Sequence, residues 1–518
     1  MLTRLPHPGL IAAAALAALI AAALAGLASA GGGLGFHLSP YLRDVVRGAA
    51  WQAALSTSLS LLLGTALALA LARRTSFIGR RALLALITAA TVAPTIVIIF
   101  GVVAVHGRSG PLHAVASALG LPPLPAIYGL HGIVLAHVMM NAPLVTRVML
   151  AALDATPAEQ TRLAGMLRFS PADCFRHLDW PVIRREWPGL AAFIFLLCFT
   201  SFAVVLSLGG GPANATLEVA IYQALRLEVD FARAAAIAMV QIALCLAFVL
   251  GFSLLGAHLP DAPGQIAARR RPDAASAPLR LWDIGIIALA AALVAPVMLS
   301  VLTGLPQWRS LISGDVAEAA VTSALLAALA ASIAVSLAVL LASAAEAAPL
   351  GRTSPARARA IDLAVLAVLG LPPFALVTGL FVLLRGSASL GTAGLVLVPL
   401  VNALMALPFV YRLLAPPLRQ SAVRHGRLGA SLGLGGLAHL RIVAWPVLKR
   451  PLAAALALSA ALSLGDFGVI ALFGGGDLVT LPYLMAERMG SYRLAEAGAI
   501  ALVLVLIAVL LAFIADNA

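Results

Sequence analysis

Apolar residues in this chain arrive in blocks of about twenty, separated by short stretches where arginine, proline and glycine concentrate. The blocks fall at 51–72, 82–106, 131–151, 190–208 and 233–257 in the first half. In the second half they fall at 283–304, 319–345, 360–385, 394–414, 452–474 and 493–515. A further run extends from Arg4 to Ala30. A bilayer core needs about 20 apolar residues per helix, so the pattern predicts an all-α polytopic membrane protein of about twelve transmembrane helices. Ala28-Ser29-Ala30 has the small-residue character of a cleavage site. The run before it is longer than a signal core, however, and Ile284 to Leu305 forms a comparable span with no cleavage role. It is read as a retained first helix. Pro94 and Pro372-Pro373 lie in matching spans and predict kinks, which neighbouring helices can accommodate.

The polar stretches carry an internal repeat. Arg162, Leu163, Leu167, Arg176, Trp180, Pro181, Val182, Arg185, Phe202, Val204 and Gly209 to Gly211 recur 265 positions later. They return as Arg427, Leu428, Leu432, Arg441, Trp445, Pro446, Val447, Arg450, Phe467, Val469 and Gly474 to Gly476, without a gap. Met140, Pro143, Val145 and Arg147 match Met405, Pro408, Val410 and Arg412 at the same offset. Chance similarity between apolar segments yields leucines and alanines, not aligned Trp-Pro steps. The chain is therefore divided into a first repeat at 1–258, a linker at 259–280 rich in Pro, Ala and Arg, and a second repeat at 281–518. Each repeat is a six-helix half. Each carries one basic, partly helical loop, near 152–189 and near 415–451, whose proline ends one helix and aims the next.

Charge then sets the orientation. The net charge of +13 invites a nucleic-acid reading, but the arginines cluster in alternate loops, which is a topological signature and not a binding groove. One set of loops holds Arg73, Arg74, Arg80, Arg81, the basic residues of both repeated loops, Arg269 to Arg271 and Arg352 to Arg359. The other holds only Arg43, Arg47, Arg108, Arg226, Arg309 and Arg488. Both termini and both repeated loops are accordingly expected in the cytoplasm. With 62% hydrophobic and 11% charged residues, the chain has too little polar surface for a soluble domain. Cys174, Cys198 and Cys245 have no paired spacing, so neither a disulfide framework nor a metal site is expected. His106, His131 and His137 are scattered at span ends.

The repeated loops resemble the EAA loop of binding-protein-dependent ABC importer permeases, a basic loop with a glycine and a closing apolar-x-apolar-Pro step. Leu178-Asp179-Trp180-Pro181 and Val443-Ala444-Trp445-Pro446 fit the closing step, and Gly433 fits the glycine. The first copy departs from the pattern with Arg168 at the glycine position, and both copies carry arginine, Arg162 and Arg427, at the glutamate position. The flanking text is similar to thiamine ABC transporter permeases over essentially the whole chain. It includes Leu197 to Phe202, Val204 to Pro212, Ala220 to Leu225, Ser463 to Gly474 and Gly490 to Arg493. This resemblance implies a bacterial inner-membrane permease that imports thiamine or its phosphates by alternating access. It also implies a periplasmic substrate-binding protein and a cytoplasmic ATP-binding dimer as partners, with surrounding lipid and without cofactors. Arg162, Arg176, Trp180, Pro181, Arg427, Gly433, Arg441, Trp445 and Pro446 become the candidates for coupling to the ATPase.

The chain's own residues agree with a separate energy source. Lys449 is the only lysine and no Gly-x-x-x-x-Gly-Lys-[Ser/Thr] surrounds it, so the chain lacks this phosphate-cradling motif. No constellation for covalent or acid–base chemistry stands out, and the chain is read as a transport subunit, not an enzyme. For the substrate path the candidates are Asp466, Ser201 at the matching position, and their neighbours Phe467 and Phe202. A carboxylate at membrane depth is a functional candidate by default, and a carboxylate among rings suits an aromatic cation such as thiamine. Alternatively, Asp466 bonds backbone freed by the adjacent glycines. Glu218, Glu228, Asp230, Asp477 and Glu487 are expected in periplasmic loops, solvated or touching a binding protein. Two other cargo readings remain at this point: a ferric-iron or other small-solute permease of the same layout, and an ion-coupled transporter built from two repeats.

Overall fold

The computed structural model describes residues 8–30, 39–122, 125–254, 271–346, 355–384, 390–434, 438, 440–474 and 478–517. Residues 259–270 of the expected linker, Asp477, Gly475 and Gly476, Arg4 and Arg352 lie outside the described residues, as do the side chains of Arg357 and Arg427.

The first half contains α1 (Pro8–Ala30), α2 (Pro40–Arg73), α3 (Arg80–Val92), α4 (Thr95–His106), α5 (Pro111–Ala118) and α6 (Leu130–Asp154). It continues with α7 (Ala158–Met166), α8 (Pro171–Cys174), α9 (Trp180–Phe199), α10 (Ala203–Leu208), α11 (Leu217–Tyr222) and α12 (Phe231–Leu254). The second half contains α13 (Ala277–Leu299), α14 (Gly314–Glu346), α15 (Pro355–Ala367), α16 (Pro373–Leu384) and α17 (Leu390–Ser431). After these come α18 (Trp445–Leu464), α19 (Gly468–Phe473), α20 (Leu481–Gly490) and α21 (Leu494–Asn517).

Among the described residues, ten helices are long and apolar enough to cross a membrane, and a pair bent by 93°, Ala358–Gly370 with Pro373–Leu384, makes eleven. The bend falls at Pro372-Pro373, where two consecutive residues lack the N–H that would continue the helix. The twelfth expected span is α9. Arg184, Arg185 and Glu186 in its first turns keep its sequence from reading as apolar, yet it starts at the same Trp-Pro step and has the same 20 residues as α18.

Two spans expected to be continuous are broken. The block 190–208 stops as α9 at Phe199, turns through Thr200 to Phe202, and resumes as α10. The block 452–474 stops as α18 at Leu464, turns through Gly465 to Phe467, and resumes as α19. Apolarity does not register such a break, because both arms are equally hydrophobic. The two breaks are 265 positions apart, and α10 and α19 are each 6 residues long.

The halves are completed by one another. Helix α1 packs on α14 and α16 of the second half, and α13 packs on α2, α3 and α4 of the first. Gly26 of α1 lies against Gly379 of α16 so closely that a β-carbon at either would collide with the other's helix backbone. Small residues are the means by which membrane helices gain van der Waals contact, since lipid supplies no hydrophobic drive between them. Within each half the second span packs on the fourth and fifth, as α2 on α6 and α9, and α14 on α17 and α18. Helix α4 reaches α20 and α21, while α16 reaches α11 and α12. The half-helices that follow the proline breaks therefore point into the opposite half.

Candidate functional site

At the middle of the molecule the broken helices meet through rings. Phe202, in the first break, packs tilted against Phe374 at the start of α16 with centroids 4.3 Å apart, and stacks on Phe467 in the second break at 6.0 Å. Tyr222 of α11 stands edge-on to Phe202 at 5.3 Å. Phe202, Phe374 and Phe467 are all buried, so the seam between the halves is closed. Gly468 lies against the same rings: a β-carbon there would make ordinary van der Waals contact, 3.4 Å from the Phe374 ring and 3.8 Å from that of Phe202. Sequence reasoning placed Phe202 and Phe467 here. It missed Phe374, which lies outside the repeated stretch and is brought in by the break at Pro372-Pro373.

The two breaks differ in polar chemistry. Ser201 shares a hydrogen bond with His137 Nε2 at 2.9 Å, and His137 Nδ1 faces Ser56 Oγ at 3.2 Å. Its carbonyl accepts from Thr216 Oγ1 at 2.8 Å. At the matching place Asp466 turns one oxygen back on its own chain, where Oδ1 accepts from the N–H groups of Gly468 and Val469 at 2.9 and 3.3 Å. These are orphan donors of α19, so this oxygen has the structural role that sequence reasoning weighed. The other oxygen, Oδ2, is buried without a well-formed hydrogen bond, with the Asn402 side chain as the neighbouring donor to the carboxyl. It borders a small cavity lined by Ser323, Asn402, Ser463 and Thr480 as well. Asn402 stands 265 positions after His137 and donates to Ser463 Oγ at 3.1 Å. His137 was legible only as a scattered histidine. Its place at the centre follows from applying the repeat offset to it. Among the described residues, no group of three His, Cys, Asp or Glu side chains converges as a metal site.

Glu218 is the clearest departure from expectation. It is not a solvated loop charge: it lies on α11 with only 2% exposure. Gln241 Nε2 approaches its Oε1 at 3.4 Å. The feature that hid it is the triple glycine before it, which reads as a helix-to-loop exit. Here the chain leaves, re-enters, and is N-capped by Thr216, whose Oγ1 accepts from Val219 N at 3.4 Å.

Where both are described, the two repeated loops share their backbone turns. In each a π-turn, Phe175–Asp179 and Leu440–Ala444, leads directly into the Trp-Pro step. In the first copy the Trp180 N–H reaches back five residues to Phe175 O. Proline's ring crowds the carbonyl four residues earlier, and a widened turn relieves it. Arg168 has φ of 51° and Gly433 has φ of 66°, so both copies require the left-handed conformation at the position where EAA loops carry glycine. Arg168 meets that requirement against the cost of its β-carbon, about 1 kcal/mol. Trp180 and Trp445 are 43% and 56% exposed, and Leu163, Leu167, Leu428 and Leu432 are exposed with them. Arg162, Arg176, Arg441, Pro181, Pro446 and Gly433 are exposed as well. Arg427 lies on α17.

One difference separates these loops. Asp179, beside Trp180, is buried and bound in bidentate fashion by Arg271 at 2.8 and 2.9 Å. Arg271 also reaches buried Asp273 at 3.1 Å. Burial pushes the Asp179 carboxyl above its ordinary range, with the Arg271 guanidinium opposing. Burial likewise works against the Arg271 charge, but the two carboxylates outweigh it and hold the guanidinium charged. Nearby, Arg73 and Arg74 grip Asp283 of α13, and Arg74 donates to Ala274 O at 2.7 Å. The residue matching Asp179 in the second copy is Ala444.

Two halves with interleaved first helices, broken helices meeting at a closed aromatic seam, and paired exposed loops define a two-repeat membrane permease. Comparison with known proteins specifies which. The chain is 41% identical over 520 residues to the thiamine transport system permease protein ThiP of Brucella melitensis, covering 99% of this chain and 95% of that protein. It is 38% identical to ThiP of Escherichia coli, covering 91% and 88%, and 33% identical to ThiP of Haemophilus influenzae, covering 85% and 82%. The chain belongs to the thiamine transport system permease family. No protein-family model matches it. It is a multi-pass membrane transport subunit and not an enzyme.

Proposed function

We propose that this chain is the membrane-spanning subunit of a bacterial inner-membrane thiamine importer, powered by ATP hydrolysed on a separate chain. The observation that carries the reading is similarity to thiamine permeases over 99% of the chain, not over one module of it. The central seam supports it: thiamine is a cation with two aromatic rings, and the path between the halves presents Phe202, Phe467, Ser201 and Asp466. Translocation then proceeds by alternating access. The rings part toward one side of the membrane and then the other, and cargo or its phosphates pass beside Asp466.

The halves at 1–258 and 281–518, joined by the linker at 259–280, each offer one docking element to an ATP-binding dimer. The support is chemical. Leucine and tryptophan side chains exposed outside the spans, at matched positions, form patches that a protein partner would cover. The arginines among them, Arg162, Arg176 and Arg441, favour an acidic rim on that partner. The positive-inside distribution puts these loops and both termini in the cytoplasm. A periplasmic binding protein delivers the cargo to the opposite face.

The test is uptake of labelled thiamine by cells lacking the gene, with and without its re-expression. Lost and restored uptake is expected. Unchanged uptake at low external thiamine, in a strain without a second importer, would falsify the cargo assignment and move ferric iron to first place.

A further inference from the structure

Glu218 raises a physical problem that the fold alone does not solve. An ionised carboxylate taken out of water costs several kcal/mol unless it is paired. Glu218 is 2% exposed, and no Arg, Lys or His side chain pairs with it among the described residues. Its contacts are a long hydrogen bond from Gln241 Nε2 and the backbone N–H of Phe374, and it lies within electrostatic reach of Asp466. Two carboxylates, one from each repeat, thus lie within electrostatic reach of one another, with Phe374 between the halves donating its backbone N–H to the first. Phe374 belongs to both sides: its backbone serves Glu218 and its ring packs against Phe202.

Acidic residues near one another are not in themselves a site. Here other buried groups are also left open. Gln241 is fully buried, with Oε1 lacking any partner beside the Glu218 carboxylate. Thr480 is 5% exposed, and its unpartnered Oγ1 lines the cavity into which Asp466 Oδ2 opens. Two open atoms, Gln241 Oε1 and Thr480 Oγ1, therefore stand beside the two carboxylates, with no protein cation among them. Such a lining is incomplete without a positive guest. The cavity itself is lined by hydroxyl, amide and aliphatic side chains. The Phe374 and Phe202 rings stand beside it, next to Asp466 Oδ1 at Gly468, an arrangement that suits an organic cation with an aromatic face.

We infer that Glu218 and Asp466 form a two-carboxylate relay across the aromatic seam, and that it takes the azolium ring of the cargo as the halves exchange access. The inference rests on the cargo reading above. It adds that recognition within the membrane is shared by both repeats, with the first repeat's charge on α11 and not at Ser201. Asp466 holds the cation on one side of the rings and Glu218 receives it on the other. When the cargo leaves, the rings close and the hydrogen bonds from Gln241 and Phe374 hold the carboxylate.

The experiment uses the full importer, permease with its ATPase and binding protein, in proteoliposomes, and reads labelled thiamine taken up per ATP hydrolysed. Glu218→Gln is expected to lower that ratio at least tenfold, and Glu218→Asp to recover part of it with a raised KM for thiamine. A ratio within twofold of wild type for Glu218→Gln overturns the relay while leaving the cargo reading intact. Failure of the wild-type complex to move thiamine overturns both. Should Glu218→Gln not reach the membrane, Glu218→Asp decides alone. A several-fold higher KM supports the relay, and a wild-type KM overturns it.

Discussion

At one point of the first repeat the chain presents Ser201, His137 and Ser56; at the same point of the second it presents Asp466, Asn402 and Ser463. The backbone there is shared: both long helices end after 20 residues and resume as 6-residue helices. The two repeated basic loops show the opposite balance. Leu163, Leu167 and Trp180 are retained as Leu428, Leu432 and Trp445, all exposed, whereas buried Asp179 is replaced by Ala444. On the proposed reading, positions that face a symmetric ATPase dimer have stayed alike, and positions that face a cargo molecule or the single linker between repeats have diverged, since one cation needs its charge answered only where it rests.

The strongest test of that contrast concerns the positions that did not diverge. Placing a carboxylate on either exposed tryptophan, Trp180→Glu or Trp445→Glu, should abolish substrate-stimulated ATP hydrolysis, a loss of more than tenfold, with membrane insertion preserved. An apolar anchor in the centre of a protein interface typically contributes 2 kcal/mol or more, and a charge there must also be desolvated. The two variants should be equally damaging. Normal stimulated hydrolysis by Trp445→Glu would sink the docking assignment, and a large inequality between them would break the symmetry.

The diverged positions should respond unequally. Asp466→Asn is expected to reduce thiamine uptake about tenfold, near 1.4 kcal/mol of lost stabilisation for the cation, while Ser201→Ala changes it less than twofold. The amide keeps an acceptor oxygen for Gly468 and Val469, so the cap on α19 survives and the charge alone is removed. Uptake kinetics indistinguishable from wild type would return Asp466 to a purely structural role.

How much of this was written in the sequence follows from the physics of each signal. Blocks of twenty apolar residues report spanning helices directly, and the 265-position offset carried Phe202 to Phe467 and Trp180 to Trp445 without a structure. The breaks at Thr200 and Gly465 were hidden, because a broken helix and a whole one bury the same residues. Glu218 was hidden because a charge after three glycines reads as loop, and only the return of α11 into the core makes it buried. Arg168 looked like a departure from the glycine pattern. Its φ of 51° shows that the left-handed turn was kept and the residue changed. Nothing local in the sequence pairs Asp179 with Arg271, 92 positions away.

That last pair gives the smallest and most diagnostic effect. Arg271→Met strands Asp179 and Asp273, both buried, and should cost about 3 kcal/mol near neutral pH. The sign of its pH dependence follows from linkage. A carboxyl whose folded pKa lies above its unfolded value binds more protons when folded, so stability falls as pH rises through the folded value and returns below it. Burial already holds Asp179 above 3.8, and removing the guanidinium removes its main opposition. The variant's melting temperature should therefore lie well below wild type at alkaline pH and approach it on acidification. A deficit independent of pH would show that Arg271 acts through packing and not charge. Adding Asp179→Ala restores at that site the residue the second repeat uses, Ala444, and relieves one of the two stranded charges. About half of the neutral-pH loss should return, because the second copy closes the same π-turn before its Trp-Pro step with no ion pair at that position.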